Sequence, residues 1–367
     1  MNDDLLVISH YELVPLNFKI GIDDFLVTFL EYFKEIKSKK VLIWYPAESI
    51  PEPFIYYNPL IGKCKEFFIE LENLLVKNDV FIYGVFGGFF SEEIDYLSKY
   101  PIKHVSILYW PTFLLHYSMY GMEKSYQKSI NDISIDTNFN KLFLCLNRKP
   151  RTHRVMVVDL LKKYDLFNDG IITWNILTGD WVEDYKFKYW EEELKILDDC
   201  NQATHGREEP VYFTDELLKY KCLINISCET LSANNGHYFI TEKTYKNLLI
   251  GQPYVSLGCQ YANKILTNFG FELYDEIIDY SFDDEVNLID RAEGLVKSMM
   301  KISNRDYNEM YEIIKEKVER NRKRAITICE NDPYIPNEFV ELYKNYTDKF
   351  KPTLHVPYYL SQIMKNK

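Results

Sequence analysis

The sequence predicts an α/β fold built from two Rossmann-like domains in tandem, on three observations. Short β-rich runs alternate with segments of helical periodicity in both halves of the chain. The polar stretch 118–140, which has no long apolar run, interrupts that rhythm, and the rhythm then restarts. At 367 residues the chain is also longer than one simple core usually supports. The expected division is an N-terminal acceptor domain over 1–135, a C-terminal donor-binding domain over 136–335, and a closing helix and tail over 336–367.

In the first half, VLIWY (41–45) is a β-rich run that ends in the loop PAESIPEP. KCKEFFIELENLLVKN (63–78) has helical spacing, with Phe67, Leu71, Leu74 and Leu75 on one face. DVFIYGVF (79–86) is a second strand, followed by Gly87 and Gly88. SEEIDYLSKY (91–100) opens with a serine cap and two acids, which suits a helix start. HVSILYW (104–110) is a third strand, stopped by Pro111.

In the second half, KLFLCLN (141–147) is a strand and RVMVVDLLKKY (154–164) a helix. IITWNI (171–176) is a strand, and 177–210 is irregular with some helix. KCLINISCE (221–229) is a strand that leads into a loop of turn-forming residues. A helix over 241–250 and the strand PYVSLG (253–258) follow. Long helices are expected over 284–302 and 305–328, and a third over 336–349.

Composition narrows the function classes. A net charge of -12 disfavours a protein that grips nucleic acid through its phosphates, since such surfaces are basic. Seven widely spaced cysteines without a C-x-x-C pair read as buried free thiols in a reducing compartment, and no structural zinc is expected. The N-terminus has two early acids and no basic leader, and no stretch reaches the ~18 apolar residues of a membrane span. A cytoplasmic protein without membrane attachment is the expectation. The many Ile, Asn, Lys and Tyr residues fit an AT-rich genome, which admits a viral source.

In an open α/β sheet, ligands sit beyond the carboxyl ends of the strands. LNRKPRTHR (146–154) follows one strand and opens a helix with Arg148, Lys149, Arg151, Arg154 and, if protonated, His153. Helix N-termini are already partly positive, so cations gathered there need an offset, and arginine forks suit phosphate. A solvated basic turn is the competing explanation. In SCETLSANNGHYFITEK (227–243), Thr241 is a candidate N-cap, but Thr244 stands where a capping box needs Glu or Gln. Glu242 suits the positive helix end, whereas Lys243 fits there if it reaches an anion. A carboxylate beside an ammonium can hold a nucleotide by its ribose hydroxyls and its phosphate.

In the N-terminal half, Glu48 and Glu52, in the loop after the first strand, are candidate general bases, with His10 and Glu12 as rivals, and Glu48 and Glu12 are the preferred pair. No P-loop, G-x-S-x-G, H-E-x-x-H or D-x-D pattern occurs. Asp283 and Asp284 read as a helix-capping loop rather than a metal site.

The order of features over about 141–270 resembles the donor-binding domain of the alpha-1,3-fucosyltransferase family. The matching pieces are Arg154 ahead of VMVVDLL, then Cys228-Glu229-Thr230, then Tyr238 through Thr241-Glu242-Lys243, then Gly251-Gln252-Pro253 and Tyr254-Val255. His237 and Thr230 depart from the family pattern. The resemblance implies a GT-B-like architecture, with two Rossmann-like domains facing across a cleft. It implies an inverting, metal-independent glycosyltransferase that needs no cofactor beyond its nucleotide-sugar donor, a GDP-sugar by analogy. Arg154 and Lys243 would bind the diphosphate, with Arg148, Arg151 and Thr241 beside them. Glu242 would take the ribose, Glu229 would sit near the sugar or nucleotide, and an acid of the N-terminal domain would act as base. The acceptor could be a glycan, a protein or a modified nucleobase, the last as for viral enzymes that glycosylate DNA. Binding of a nucleotide or nucleotide-sugar without transfer stands as the alternative.

Overall fold

The computed structural model describes residues 5–9, 38–45, 62–87, 89–90, 103–109, 137–147, 151–174, 221–230, 232 and 237–328, with residues 31, 34 and 341 singly. Two compact units emerge: Met1–Thr112 with Asn235–Phe239 and Glu330–Lys367, and Phe113–Asn234 with Ile240–Cys329. The segments 91–100 and 177–210 expected from sequence lie outside the described residues, as does 336–349 apart from Glu341.

The first unit carries strands β1 (Leu5–Ser9), β2 (Lys40–Tyr45), β3 (Phe81–Phe86), β4 (Phe89–Phe90) and β5 (Val105–Tyr109), with helix α1 (Gly62–Asn78) between β2 and β3. Strands β1-β2-β3-β5 form a parallel sheet in that order, with Leu6 opposite Val41 and Ile43 opposite Gly84. Consecutive burial of Val41, Leu42 and Ile43 requires cover on both sheet faces, as parallel sheets have. From α1, Leu71 and Leu75 are buried and Leu74 is half-buried, which is the face the spacing predicts; the Phe67 side chain lies outside the described residues. Glu72 on α1 accepts the backbone N–H of His104 at 3.2 Å and lies 2.8 Å from its Nδ1, fixing the helix to the start of β5.

Strands β6 (Lys141–Asn147), β7 (Gly170–Trp174), β8 (Cys222–Cys228) and β10 (Tyr254–Leu257) make the sheet of the second unit, with β9 (His237–Tyr238) pairing antiparallel to β4 in the first unit. Its helices are α2 (Thr152–Lys163), α3 (Glu242–Ile250), α4 (Leu288–Ile302) and α5 (Tyr307–Thr327), with 3₁₀ turns over Lys264–Phe269 and Tyr280–Asp284. All pairings are parallel and the spatial order is β10-β8-β6-β7. The chain therefore moves outward from β6 to β7, then restarts on the other side with β8 and β10. Right-handed crossovers in the two directions put α2 and α3 on opposite faces. Helix α4 packs on α2 and α5 on α3, so both faces are covered and every residue of β8 and β10 is buried. The reversal between β6 and β8 is a topological switch point, where such sheets bind ligands.

The free edge of β10 is closed by a side chain. Asn263 Oδ1 accepts the Ser256 N–H at 2.7 Å and its Nδ2 donates to the Ser256 carbonyl at 2.8 Å, replacing a further strand. Asp283 holds that amide by accepting from Asn263 Nδ2 (2.9 Å), and it accepts the backbone N–H groups of Asn263 (3.0 Å) and Lys264 (2.9 Å) at the start of the 3₁₀ turn. Asp283 thus caps a distant 3₁₀ turn, while the helix that follows it in sequence is capped by Asn287. Burial pushes its pKa up to about 6 despite those donors. Cys145, Cys222, Cys228 and Cys259 are buried free thiols.

Candidate functional site

Beyond the carboxyl ends of β6 and β8 the chain gathers its candidate residues, and α3 is the element that aims them. Thr241 is its N-cap, accepting the Lys243 N–H at 3.4 Å. The missing acid of the capping box comes from another element. The carboxylate of Glu229, just past β8, accepts the Thr241 backbone N–H at 3.3 Å, the Thr241 hydroxyl at 2.5 Å and the Thr244 hydroxyl at 2.6 Å. A capping-box Glu would take that same backbone N–H from within the helix. Because Thr244 spends its proton on Glu229, the Ser256 hydroxyl 2.7 Å away donates to Thr244. Glu229 is 1% exposed and fully engaged in positioning α3.

Further polar bonds join α3 to β8, beside the apolar contact of Ile250 with Cys222 and Leu144. Asn225 Nδ2 donates to Asn247 Oδ1 at 2.9 Å, while Asn247 Nδ2 donates to Ser227 Oγ at 2.8 Å and to the Lys243 carbonyl at 2.7 Å. At the far end, Gly251 adopts φ 76° to close α3, a conformation that favours glycine. Gln252 then ties the turn to β8 through the carbonyls of Cys222 (3.0 Å) and Leu223 (2.8 Å). GQPYVSLG is therefore scaffold that holds the first turn of α3 in place.

That first turn is charged. Lys243 Nζ donates to Glu242 Oε1 at 2.6 Å, Thr230 Oγ1 at 3.1 Å and Thr241 Oγ1 at 3.3 Å. The Lys243 and Glu242 side chains remain 28% and 30% exposed, so the pair is open to a ligand. Burial works to raise the Glu242 pKa, but the charges of Lys243 and Lys246 outweigh it and hold it below the usual range. Lys246, one turn on, is a buried lysine that the sequence did not single out. Burial pulls its pKa down to about 8, against the opposing pull of Glu242.

Helix α2 approaches the same loop from the β6 side. Arg151, its N-cap, donates through Nη1 to the Thr230 carbonyl. Arg154, 5% exposed, donates through Nη2 to the carbonyls of Cys228 (3.4 Å) and Glu229 (3.3 Å). The offset that a cationic helix start needs is thus supplied partly by backbone carbonyls. Arg291 on α4, 0% exposed, completes the bracing with bonds to the carbonyls of Ser232 (3.1 Å), Gly258 (3.2 Å), Glu285 (2.5 Å) and Val286 (3.3 Å).

His153 does not join the cations. Burial, reinforced by the charges of Arg154, Arg151 and Lys243, lowers its pKa to about 3. The imidazole is therefore neutral. Its Nε2 lies 2.7 Å from the Glu229 carbonyl, which can only accept, so Nε2 carries the proton. Nδ1 then accepts from Ser232 Oγ at 3.1 Å. The possible fifth cation of the sequence is a neutral loop brace.

Arg154 and Lys243, more than eighty residues apart in sequence, thus meet on residues 228–230. Four basic side chains, Arg151, Arg154, Lys243 and Lys246, face two acidic ones, Glu229 and Glu242, in a chain of net charge -12. Glu12, Glu48 and Arg148 lie outside the described residues, as do His10, Glu52 and Lys149. Among the described residues, no group of three or more His, Cys, Asp or Glu could hold a metal ion, and no helix is long and apolar enough to cross a membrane.

No family model, curated protein or solved structure matches this chain.

Proposed function

We propose that the second unit binds the diphosphate of a nucleotide-sugar and that the protein is a glycosyltransferase of GT-B-like, two-domain architecture. The observation that carries this reading is the local excess of basic over acidic side chains around residues 228–230, at the switch point of a parallel sheet and the N-terminus of α3. An anion there gains from Lys243, from the helix end and from the arginine charges behind the loop. In transfer, the leaving diphosphate would find its growing charge met by cations fixed in advance. Glu242, held ionised beside Lys243, would accept from ribose hydroxyls. The acceptor hydroxyl would lose its proton to a carboxylate, for which Glu48 and Glu12 are the candidates.

A thermal-shift panel of GDP, UDP and their sugar conjugates tests the reading. A ligand at a hundred times its Kd stabilises a fold by about 2.7 kcal/mol, a shift of several degrees. One nucleotide series is expected to shift the wild type, and Lys243→Ala to abolish the shift. Slow hydrolysis of the matching nucleotide-sugar then identifies a transferase, while tight binding without turnover in the presence of acceptors identifies a binding protein. If no nucleotide moves the melting temperature, the site reading fails.

A further inference from the structure

Tyr261 stands on the same edge of the sheet and is held at odds with its own backbone preference. Its φ is 64°, in the left-handed region that a bulky side chain rarely adopts. The conformation is fixed by its N–H, which donates to the Asp283 carbonyl at 2.8 Å. Glycine would fill this position without strain. The residue is 37% exposed, and among the described residues its side chain makes no hydrogen bond, ion pair or ring contact to offset that strain. Strain kept without a local return is characteristic of ligand-contacting positions.

Its place in the fold supplies the ligand. Tyr261 follows β10, whose last residue Leu257 accepts the Glu229 N–H at 2.8 Å, so β8 and β10 reach the edge side by side. A Cβ on Gly258 would lie 3.3 Å from the Glu229 Cβ, so the Gly258–Tyr261 loop lies against the residue that caps α3. Arg291 bonds both Gly258 and Ser232 and fixes the two loops to each other. A nucleotide with its phosphates at Lys243 can lie along this edge toward β10.

We propose that Tyr261 is the stacking platform for the nucleobase of the nucleotide bound at Lys243, a role that rests on the reading of that site as a nucleotide site. Every base has a π-face, and an aromatic platform of this kind adds about tenfold to affinity. Inorganic pyrophosphate has no such face.

Calorimetric titration of the full chain with GDP, UDP and inorganic pyrophosphate tests the assignment in the wild type, Tyr261→Gly and Tyr261→Phe. Tyr261→Gly is expected to weaken the bound nucleoside diphosphate about tenfold, to leave pyrophosphate within twofold, and to melt no lower than the wild type because strain is relieved. Tyr261→Phe is expected to keep the nucleotide affinity. Unchanged nucleotide affinity in Tyr261→Gly, equal losses for nucleotide and pyrophosphate, or a large loss in Tyr261→Phe would overturn the assignment while leaving the phosphate site standing. Failure of the wild type to bind any of the three ligands would overturn both.

Discussion

Acidification should destabilise this fold through one imidazole. His153 is 3% exposed, and its pKa is lowered from 6.5 to about 3 by burial and by the cations around it. Because the folded value lies below the unfolded one, the stability it contributes is present above pH 6.5 and is lost as pH falls toward 3. The full window corresponds to about 5 kcal/mol at about 1.4 kcal/mol per pKa unit. Between pH 7 and pH 5 the unfolded chain takes up the proton and the folded chain does not, which removes about 2 kcal/mol. Urea denaturation of the wild type and His153→Gln at pH 7, 6 and 5 reads this directly. Glutamine keeps a donor for the Glu229 carbonyl but does not titrate, so its stability profile should be flatter by about 2 kcal/mol, whatever its starting value. Parallel profiles, or an NMR titration midpoint near 6.5 for the His153 ring, would refute the reasoning.

Four further outcomes follow from the same geometry. Glu229→Ala strands the Thr241 backbone N–H and removes the acceptor of two buried hydroxyls; it should cost about 3 kcal/mol in urea denaturation, and Thr244→Val, which removes one donor, about 1–2 kcal/mol. Gly251→Ala must hold φ 76° with a Cβ and should lose about 1 kcal/mol, seen as a fall in Tm. Carbon-13 NMR of the Asp283 carboxyl should show a midpoint near pH 6; its raised pKa means that the stability it contributes is full below 3.8 and is lost as pH rises through 6, and a midpoint below 4.5 would contradict the burial argument.

The strands of the second unit were legible because each is a compact apolar run bounded by turn residues, and α2, α3, α4 and α5 because their spacing and caps are local. Strand β1 is not legible in the sequence: LLVIS is short and without alternation, and such a run lacks a periodic signature. The 3₁₀ turn over Lys264–Phe269 depends on a distant partner, Asp283, whereas the turn over Tyr280–Asp284 is capped locally by Asp279. At the site, the Arg151, Arg154 and Lys243 positions were visible as charges misplaced for a helix start. Their geometry was not, since it runs through backbone carbonyls that any sequence possesses. The capping of α3 by Glu229 is invisible in the sequence, because a cap borrowed from another element leaves no short-range pattern. Lys246 and Arg291 sit at ordinary helical positions, and only the fold reveals that they are buried.

Besides the apolar contact of Ile250, the seam between α3 and the strands beneath it is tied by matched donors and acceptors: Asn225 with Asn247, Asn247 with Ser227, Thr244 with Glu229 and Ser256. An apolar seam can drift through sequence space one methyl group at a time. This one cannot, because a change at either member of a pair leaves a buried polar atom behind. Diverging copies of the chain should therefore alter these positions in pairs or leave them alone, and the footing of α3 should persist after the surfaces around it have changed.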